Sequence, residues 1–154
     1  MIVAWRLVKA RHAAIAFDGE GARLEGGRWN PKGLSAVYLS DHPALAALEV
    51  FIHLKSAAAK IEFVMYRVGI PIEAPVLEMT VADLPAGWRN EPPSHETMAI
   101  GEKWIKEGKA TVLKVPSVLV PAAANLVLNP RHKDFPKIRI GPAVKFSFDP
   151  RMWK

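Results

Sequence analysis

Thirteen prolines run through the 154 residues of this chain, and they limit what it can fold into more than any other feature. Proline has no amide hydrogen to give to a helix or a ladder, so it tends to end elements rather than sit inside them. Most of the prolines fall between short apolar pieces. Ile2 to Val8 reads as a first strand. Ser35 to Ser40 reads as a second, with Ala36, Tyr38 and Ser40 on one face and Val37 and Leu39 on the other. Asp41 or His42 then caps a helix that has Pro43 in its first turn and runs to about Ser56. Residues 18–33 are rich in glycine and are expected to form an ordered loop or a bent, irregular stretch. Lys60 to Val68 is expected as a strand, and Pro71 to Met79 as an extended piece interrupted by two prolines. Ser94 is the expected N-cap of a second helix and Gly108 its stop. Ala110 to Val115, Ser117 to Val120, Ile138 to Ile140 and Val144 to Phe148 read as short strands. There is no internal repeat and no regular βαβ rhythm, so the expected fold is α+β, in one domain over residues 1–154.

Half of the residues are hydrophobic and 23% are charged, the profile of a globular protein with a real core. No apolar run approaches the ~18 residues of a membrane span. Residues Met1 to Arg6 do not read as a secretory signal. There are no cysteines, which excludes disulfides and thiolate chemistry and fits a reducing compartment. The expectation is a cytoplasmic protein with no membrane partner. The net charge is +6, which favours phosphate-bearing or acidic partners. The basic residues are scattered, however. The densest run, Arg131, Lys133, Lys137 and Arg139 with His132 among them, reads as a solvated face. A basic nucleic-acid-binding module without catalysis is therefore the least favoured class. His12, His42, His53, His95 and His132 show no metal-ligand spacing, and no metal is expected.

Four features carry possible chemistry. In ALAALEVFIHL a step of about 100° per residue puts Leu45, Leu48, Glu49 and Ile52 on one stripe, so Glu49 falls on the face expected to be buried. A carboxylate there either reaches water, pairs with a core arginine, or opens into a cleft. In GGRWNPKG, Gly26 and Gly27 allow an unusual backbone path, Trp29 and Asn30 are expected to pin the loop, and Arg28 could clamp a phosphate or carboxylate with its planar fork. Ser117, in VPSVLVP, is a polar side chain within an apolar strand, most simply a satisfied core hydroxyl. Asn125 and Asn129, in NLVLNPRH, read most simply as turn and cap residues.

Taken together, GARLEGGRWNPKG, AVYLS, ALAALEVFIHL, IGEKWIKEG, VPSVLVP, NLVLNPRHKDF and FSFDPRM resemble, in this order, the RES-domain family, the toxins of bacterial RES–Xre toxin–antitoxin pairs. The resemblance runs from about Arg6 to Met152. It implies a fold similar to the diphtheria-toxin type of ADP-ribosyltransferase. It also implies cleavage of the nicotinamide–ribose bond of NAD⁺, by water or by inorganic phosphate, or else transfer of ADP-ribose to a protein. Carried over residue by residue, Arg28, Glu49 and Ser117 match the family's Arg, Glu and Ser and form the implied catalytic set. Tyr38 matches an aromatic in the strand between the first two, and Arg6 a less strict arginine near the pocket. Leu7 stands where the family often has an aromatic, which weakens any stacking role there. Arg6, Arg28, Tyr38, Ser117 and Asn125 are the implied NAD⁺-binding residues. NAD⁺ would be substrate, with no resident cofactor. An Xre-like antitoxin would block the cleft, and DNA would be met only through that antitoxin.

Overall fold

The computed structural model describes residues 1–154. Its centre is one sheet. β1 (Ile2–Lys9) pairs along its whole length with β3 (Phe63–Ile70), antiparallel, from Ile2↔Ile70 to Lys9↔Phe63. On its other side β1 meets β2 (Val37–Ser40) at a single pair, Trp5↔Ser40. β2 runs against β6 (Ala124–Leu128), which runs against β5 (Val112–Pro116), and β4 (Val76–Glu78) closes that edge as the one parallel neighbour. β7 (Arg139–Ile140) and β8 (Val144–Phe146) both pair with β3 at the opposite edge. Three helices join the strands: α1 (Glu20–Glu25), α2 (Pro43–Phe51) and α3 (His95–Glu107). The fold is α+β in one domain, with a sheet that is almost wholly antiparallel.

The period-2 alternation of the strands divides the core. Val37, Leu39, Val68, Ile70, Leu126 and Leu128 face one layer. Val127, Leu113 and Val115 face the other, where they pack with Trp29, Ala36 and Trp104. Tyr38 and Ala36 lie on this second face of β2, as its alternation requires. A third cluster, Leu7, Ala46, Phe63, Met65 and Phe148, forms where α2 and the C-terminal segment cover β1 and β3. No helix is long and apolar enough to cross a membrane.

Four expectations need correction. The glycine-rich stretch contains the short helix α1, started by the Asp18 carboxylate, which accepts from the Glu20 amide, and supported by a Glu20–Arg23 ion pair. α2 begins as expected, with the His42 ring nitrogen accepting from the Ala44 amide at 3.1 Å, but it ends at Phe51 rather than near Ser56. There the amides of His53 and Leu54 turn back to the carbonyls of Val50 and Phe51, which tightens the last turn while Phe51 and Leu54 pack onto the third cluster. The stripe on α2 is also displaced. Leu45 and Ala46 are buried, whereas Leu48 and Ile52 are 39% and 51% exposed. Finally, Ser117–Val120 is not a strand. β5 ends at Pro116, and the Ser117 hydroxyl accepts from the amides of Leu119 and Val120, which replaces a ladder with a turn.

α3 is capped as its sequence suggests. The Ser94 hydroxyl accepts from the Thr97 amide and Gly108 takes the left-handed conformation after the last turn, at φ +62°. Its face toward the site loop is very tight: a Cβ on Gly101 would sit 1.5 Å from the Trp29 carbonyl oxygen, which is backbone and cannot rotate away. Gly101→Ala is expected to cost about 3 kcal/mol or more, the upper range for overpacking, with urea unfolding as the measurement.

Candidate functional site

β1 and β2 share one residue pair and then diverge, and the gap between them is filled by Arg6. Its Nε donates to the Ala16 carbonyl at 2.7 Å and its Nη1 to the Tyr38 carbonyl at 2.9 Å. The second bond satisfies a strand carbonyl that has lost its ladder partner. Burial pulls the Arg6 pKa down to about 10, opposed by the nearby Asp18 carboxylate, so the guanidinium keeps its charge at neutral pH. Above this gap opens a cavity of about 1070 Å³, lined among others by Arg6, Arg28, Tyr38, Glu49, His53 and Asn125. Small-molecule sites commonly fall at ~300–1,000 Å³, so there is room for an extended ligand.

Glu49 enters this cavity from α2, one turn beyond the buried Leu45 and Ala46, and is half-buried. Its Oε1 accepts from the Ser117 hydroxyl at 2.7 Å and from the Asn125 amide at 2.9 Å. Oε2 has no protein donor. Ser117 is fully buried behind Glu49 and is not part of the cavity wall. Its oxygen accepts two backbone amides, so its only hydrogen is committed to the carboxylate. Asn125 is in β6, not in a turn, and its side chain lines the cavity. Asn129 does take the turn role, with its carbonyl oxygen accepting from the Arg131 amide. His53 lines the cavity but makes no hydrogen bond to Glu49.

The loop 26–33 is a small closed device. Gly27 and Asn30 exchange backbone hydrogen bonds, so residues 28 and 29 form its tip. Trp29 turns inward and is 2% exposed. The buried Asn30 amide donates to the carbonyls of Ala22 and Leu34, and its Oδ1 accepts from the Tyr38 hydroxyl at 2.6 Å. The same tyrosine oxygen accepts from the Trp29 amide. Burial raises the Tyr38 pKa, partly offset by that amide and by the Arg28 charge, so the phenol stays protonated and able to donate. Gly26 has φ +73°, and a Cβ on Gly27 would lie 2.6 Å from the Tyr38 oxygen, so neither position readily takes a larger residue.

Arg28 points from this loop tip into the cavity wall, but its fork is not empty. Nη1 donates to the carbonyls of Trp88 and Asn90, and Nη2 meets the Glu91 carboxylate at 3.0 Å. The segment 88–91 is the part of the site that sequence reasoning missed. Its contacts with Arg28 span 60 to 63 positions of the chain, and no local pattern announces them. The Glu91 side chain is 74% exposed, so this ion pair is weakly held and can yield to a ligand anion.

A second cavity, about 910 Å³, lies on the other side of α2 between Leu48, Met65, Val144 and Phe146. It has no converging donors and acceptors like those around Glu49. No group of three or more His, Asp or Glu side chains is placed to hold a metal ion.

The family model described as the RES domain matches residues 3–149, and the chain belongs to the RES-domain family. It is 38% identical over 149 residues to Toxin Res of Yersinia enterocolitica, covering 96% of this chain and 97% of that one. It is 36% identical over 152 residues to the Prs ADP-ribosylating toxin of a Sphingobium species, covering 96% and 94%. Among solved structures it is similar to the M. tuberculosis MbcT-MbcA toxin-antitoxin complex, with a TM-score of 0.78 at 21% identity over 98% of this chain and 86% of that one. At that identity the likeness concerns the fold alone.

Tyr38→Phe removes only the hydroxyl that joins Trp29 and Asn30. It leaves the buried Asn30 oxygen without that donor, and a loss of about 1–3 kcal/mol is expected in urea unfolding. The Trp29 amide is expected to exchange with solvent faster than in the parent protein.

Proposed function

We propose that this chain is the toxin of a toxin–antitoxin pair and acts by cleaving the nicotinamide–ribose bond of NAD⁺ in the cytoplasm. The observation that carries this reading is Glu49: a half-buried carboxylate with one oxygen fixed by two donors and the other free, in a cavity that also holds two arginines. When the C1′–N bond breaks, its electron pair goes to the nicotinamide nitrogen, which leaves neutral and needs no acid. Positive charge grows on the ribose carbon and ring oxygen. A fixed carboxylate beside them stabilises that charge without having to reorganise. The oxygen of water or inorganic phosphate then bonds to C1′, any proton on the attacking oxygen passing to solvent, giving ADP-ribose or its 1″-phosphate. Arg28, once released by Glu91, and Arg6 supply positive charge for the pyrophosphate. Tyr38 supplies an aromatic surface for a ring. Ser117 and Asn125 act first by holding Glu49.

A second reading, transfer of ADP-ribose to a protein, is favoured by the name of the Sphingobium relative at 36% identity. The donor chemistry is the same and only the acceptor differs. The partner in either case is an Xre-like antitoxin that covers the cavity. Ile15, Leu24 and Ile52, 55%, 60% and 51% exposed, ring the cavity and offer a protein an apolar seat. DNA is then reached through the antitoxin.

NAD⁺ turnover by the purified chain, with and without phosphate and with a candidate protein acceptor, tests the proposal. Wild type is expected to release nicotinamide. Glu49→Gln, folded by thermal unfolding, is expected to be slower by about 10²-fold or more, as when a charge-stabilising group is removed. The product identifies the acceptor. Undiminished turnover by Glu49→Gln, or intact NAD⁺ with every acceptor, would overturn it.

A further inference from the structure

The two donors to Glu49 differ in how they are held. The Ser117 hydroxyl accepts from the amides of Leu119 and Val120, so its single hydrogen has one remaining direction. Asn125 has no such constraint from its own backbone. Its side chain has a donor end and an acceptor end of nearly the same shape, and a half-turn exchanges them. With the acceptor end toward Glu49, a carbonyl oxygen would face a carboxylate. The orientation is set instead at the far end of the amide, where the Ser40 hydroxyl donates to Asn125 Oδ1 at 3.1 Å. Because Glu49 can only accept, Asn125 must present its amide nitrogen there and its oxygen to Ser40, and Ser40 must donate.

Ser40 is well placed for this. It is 4% exposed and borders a small cavity of about 210 Å³ that Glu49 and Asn125 also line. It stands directly opposite Asn125 in the β2–β6 ladder, and it is also the residue of β2 that pairs with β1. Backbone register, not side-chain chance, therefore brings the two together. Asn125 carries a second amide hydrogen with no protein acceptor, and Asn125 and Glu49 line the same cavity.

We propose that Ser40 is a positioning residue of the site: through Asn125 it holds one amide hydrogen on Glu49 Oε1 and leaves the other, with Glu49 Oε2, as a donor–acceptor pair that reads a ligand hydroxyl. A hydroxyl suits such a pair because it accepts and donates at once. The choice of a ribose hydroxyl as that ligand group rests on the NAD⁺-cleaving reading; the lock itself does not.

The test has two arms. In the ligand-free protein, the side-chain amide of Asn125 is followed by ¹⁵N NMR and identified by its loss in Asn125→Asp. One of its hydrogens is expected to be displaced by the carboxylate, and Glu49→Gln should remove that displacement. Ser40→Ala should collapse the pair toward the values of a free amide, while Ser40→Thr, which keeps the hydroxyl, should preserve it. Ser40→Cys keeps the size but donates weakly, and it serves in place of Ser40→Ala if thermal unfolding shows the smaller residue loosens the fold. An Asn125 pair that moves in Glu49→Gln but not in Ser40→Ala or Ser40→Cys would overturn the proposal. In the second arm, kcat/KM is compared for NAD⁺ and for an analogue lacking the 2′-hydroxyl of the nicotinamide ribose. Ser40→Ala is expected to lower the value for NAD⁺ about tenfold, the size of one hydrogen bond, and to shrink the preference over the analogue in parallel, with recovery in Ser40→Thr. An equal fall for both substrates would mean a merely structural serine and would overturn the proposal. If wild type leaves NAD⁺ intact, the functional reading fails and the NMR arm decides the lock alone.

Discussion

β1 and β2 touch at one residue pair, Trp5↔Ser40, and the rest of the site follows from their separation beyond it. Two adjacent strands that part company leave backbone groups unpaired, and unpaired groups inside a protein are costly. Here the Arg6 guanidinium takes the orphaned Tyr38 carbonyl and fills the gap with a charge. The same divergence opens the cavity and exposes the side chains of β2 that alternation directs to it. A fully zipped β1–β2 ladder would have closed that space.

The cavity is then furnished by groups that hold one another. Glu49 has one oxygen committed to Ser117 and Asn125, and Asn125 is committed to Ser40. Tyr38 binds the loop that carries Arg28, and Arg28 binds the segment 88–91. Most of the polar side chains in this region have their partners in the protein, and no buried side-chain nitrogen or oxygen lacks one. Around Glu49, the groups left without a protein partner are Glu49 Oε2, the second amide hydrogen of Asn125, Arg6 Nη2 and the His53 ring, while Arg28 is met by the exposed Glu91. Groups oriented beforehand in this way need no reorganisation when charge develops beside them.

Much of the frame was legible because its signals are local. Ser94 and Gly108 mark the two ends of α3, Pro43 marks the start of α2, and the alternation of β2 separates Tyr38 and Ser40 from Val37 and Leu39. Where local signals mislead, a competing local interaction is the cause. The glycines of the 18–33 stretch hid α1, whose start depends on the Asp18 carboxylate. Ser117 looked like a strand residue because its neighbours are apolar, yet its own hydroxyl folds the next three residues into a turn. On α2, periodicity identified Glu49 as a carboxylate on an unusual face, but the face itself is displaced, because the sheet that covers the helix takes Leu45 and Ala46 and leaves Leu48 and Ile52 outside.

Local spacing and capping mark β1, the start of α2 and both ends of α3, and the motifs identify the family to which the chain belongs. Those properties reside in spacing, capping and side-chain chemistry within a few residues. What the charged groups do to one another depends on how distant segments pack. Glu49 meets Ser117 and Asn125 across 68 and 76 positions, and Arg28 meets Glu91 across 63. Contacts at such separations depend on strand order, on register and on the place where two strands diverge, and those are decided by the packing of the whole sheet rather than by any segment of it.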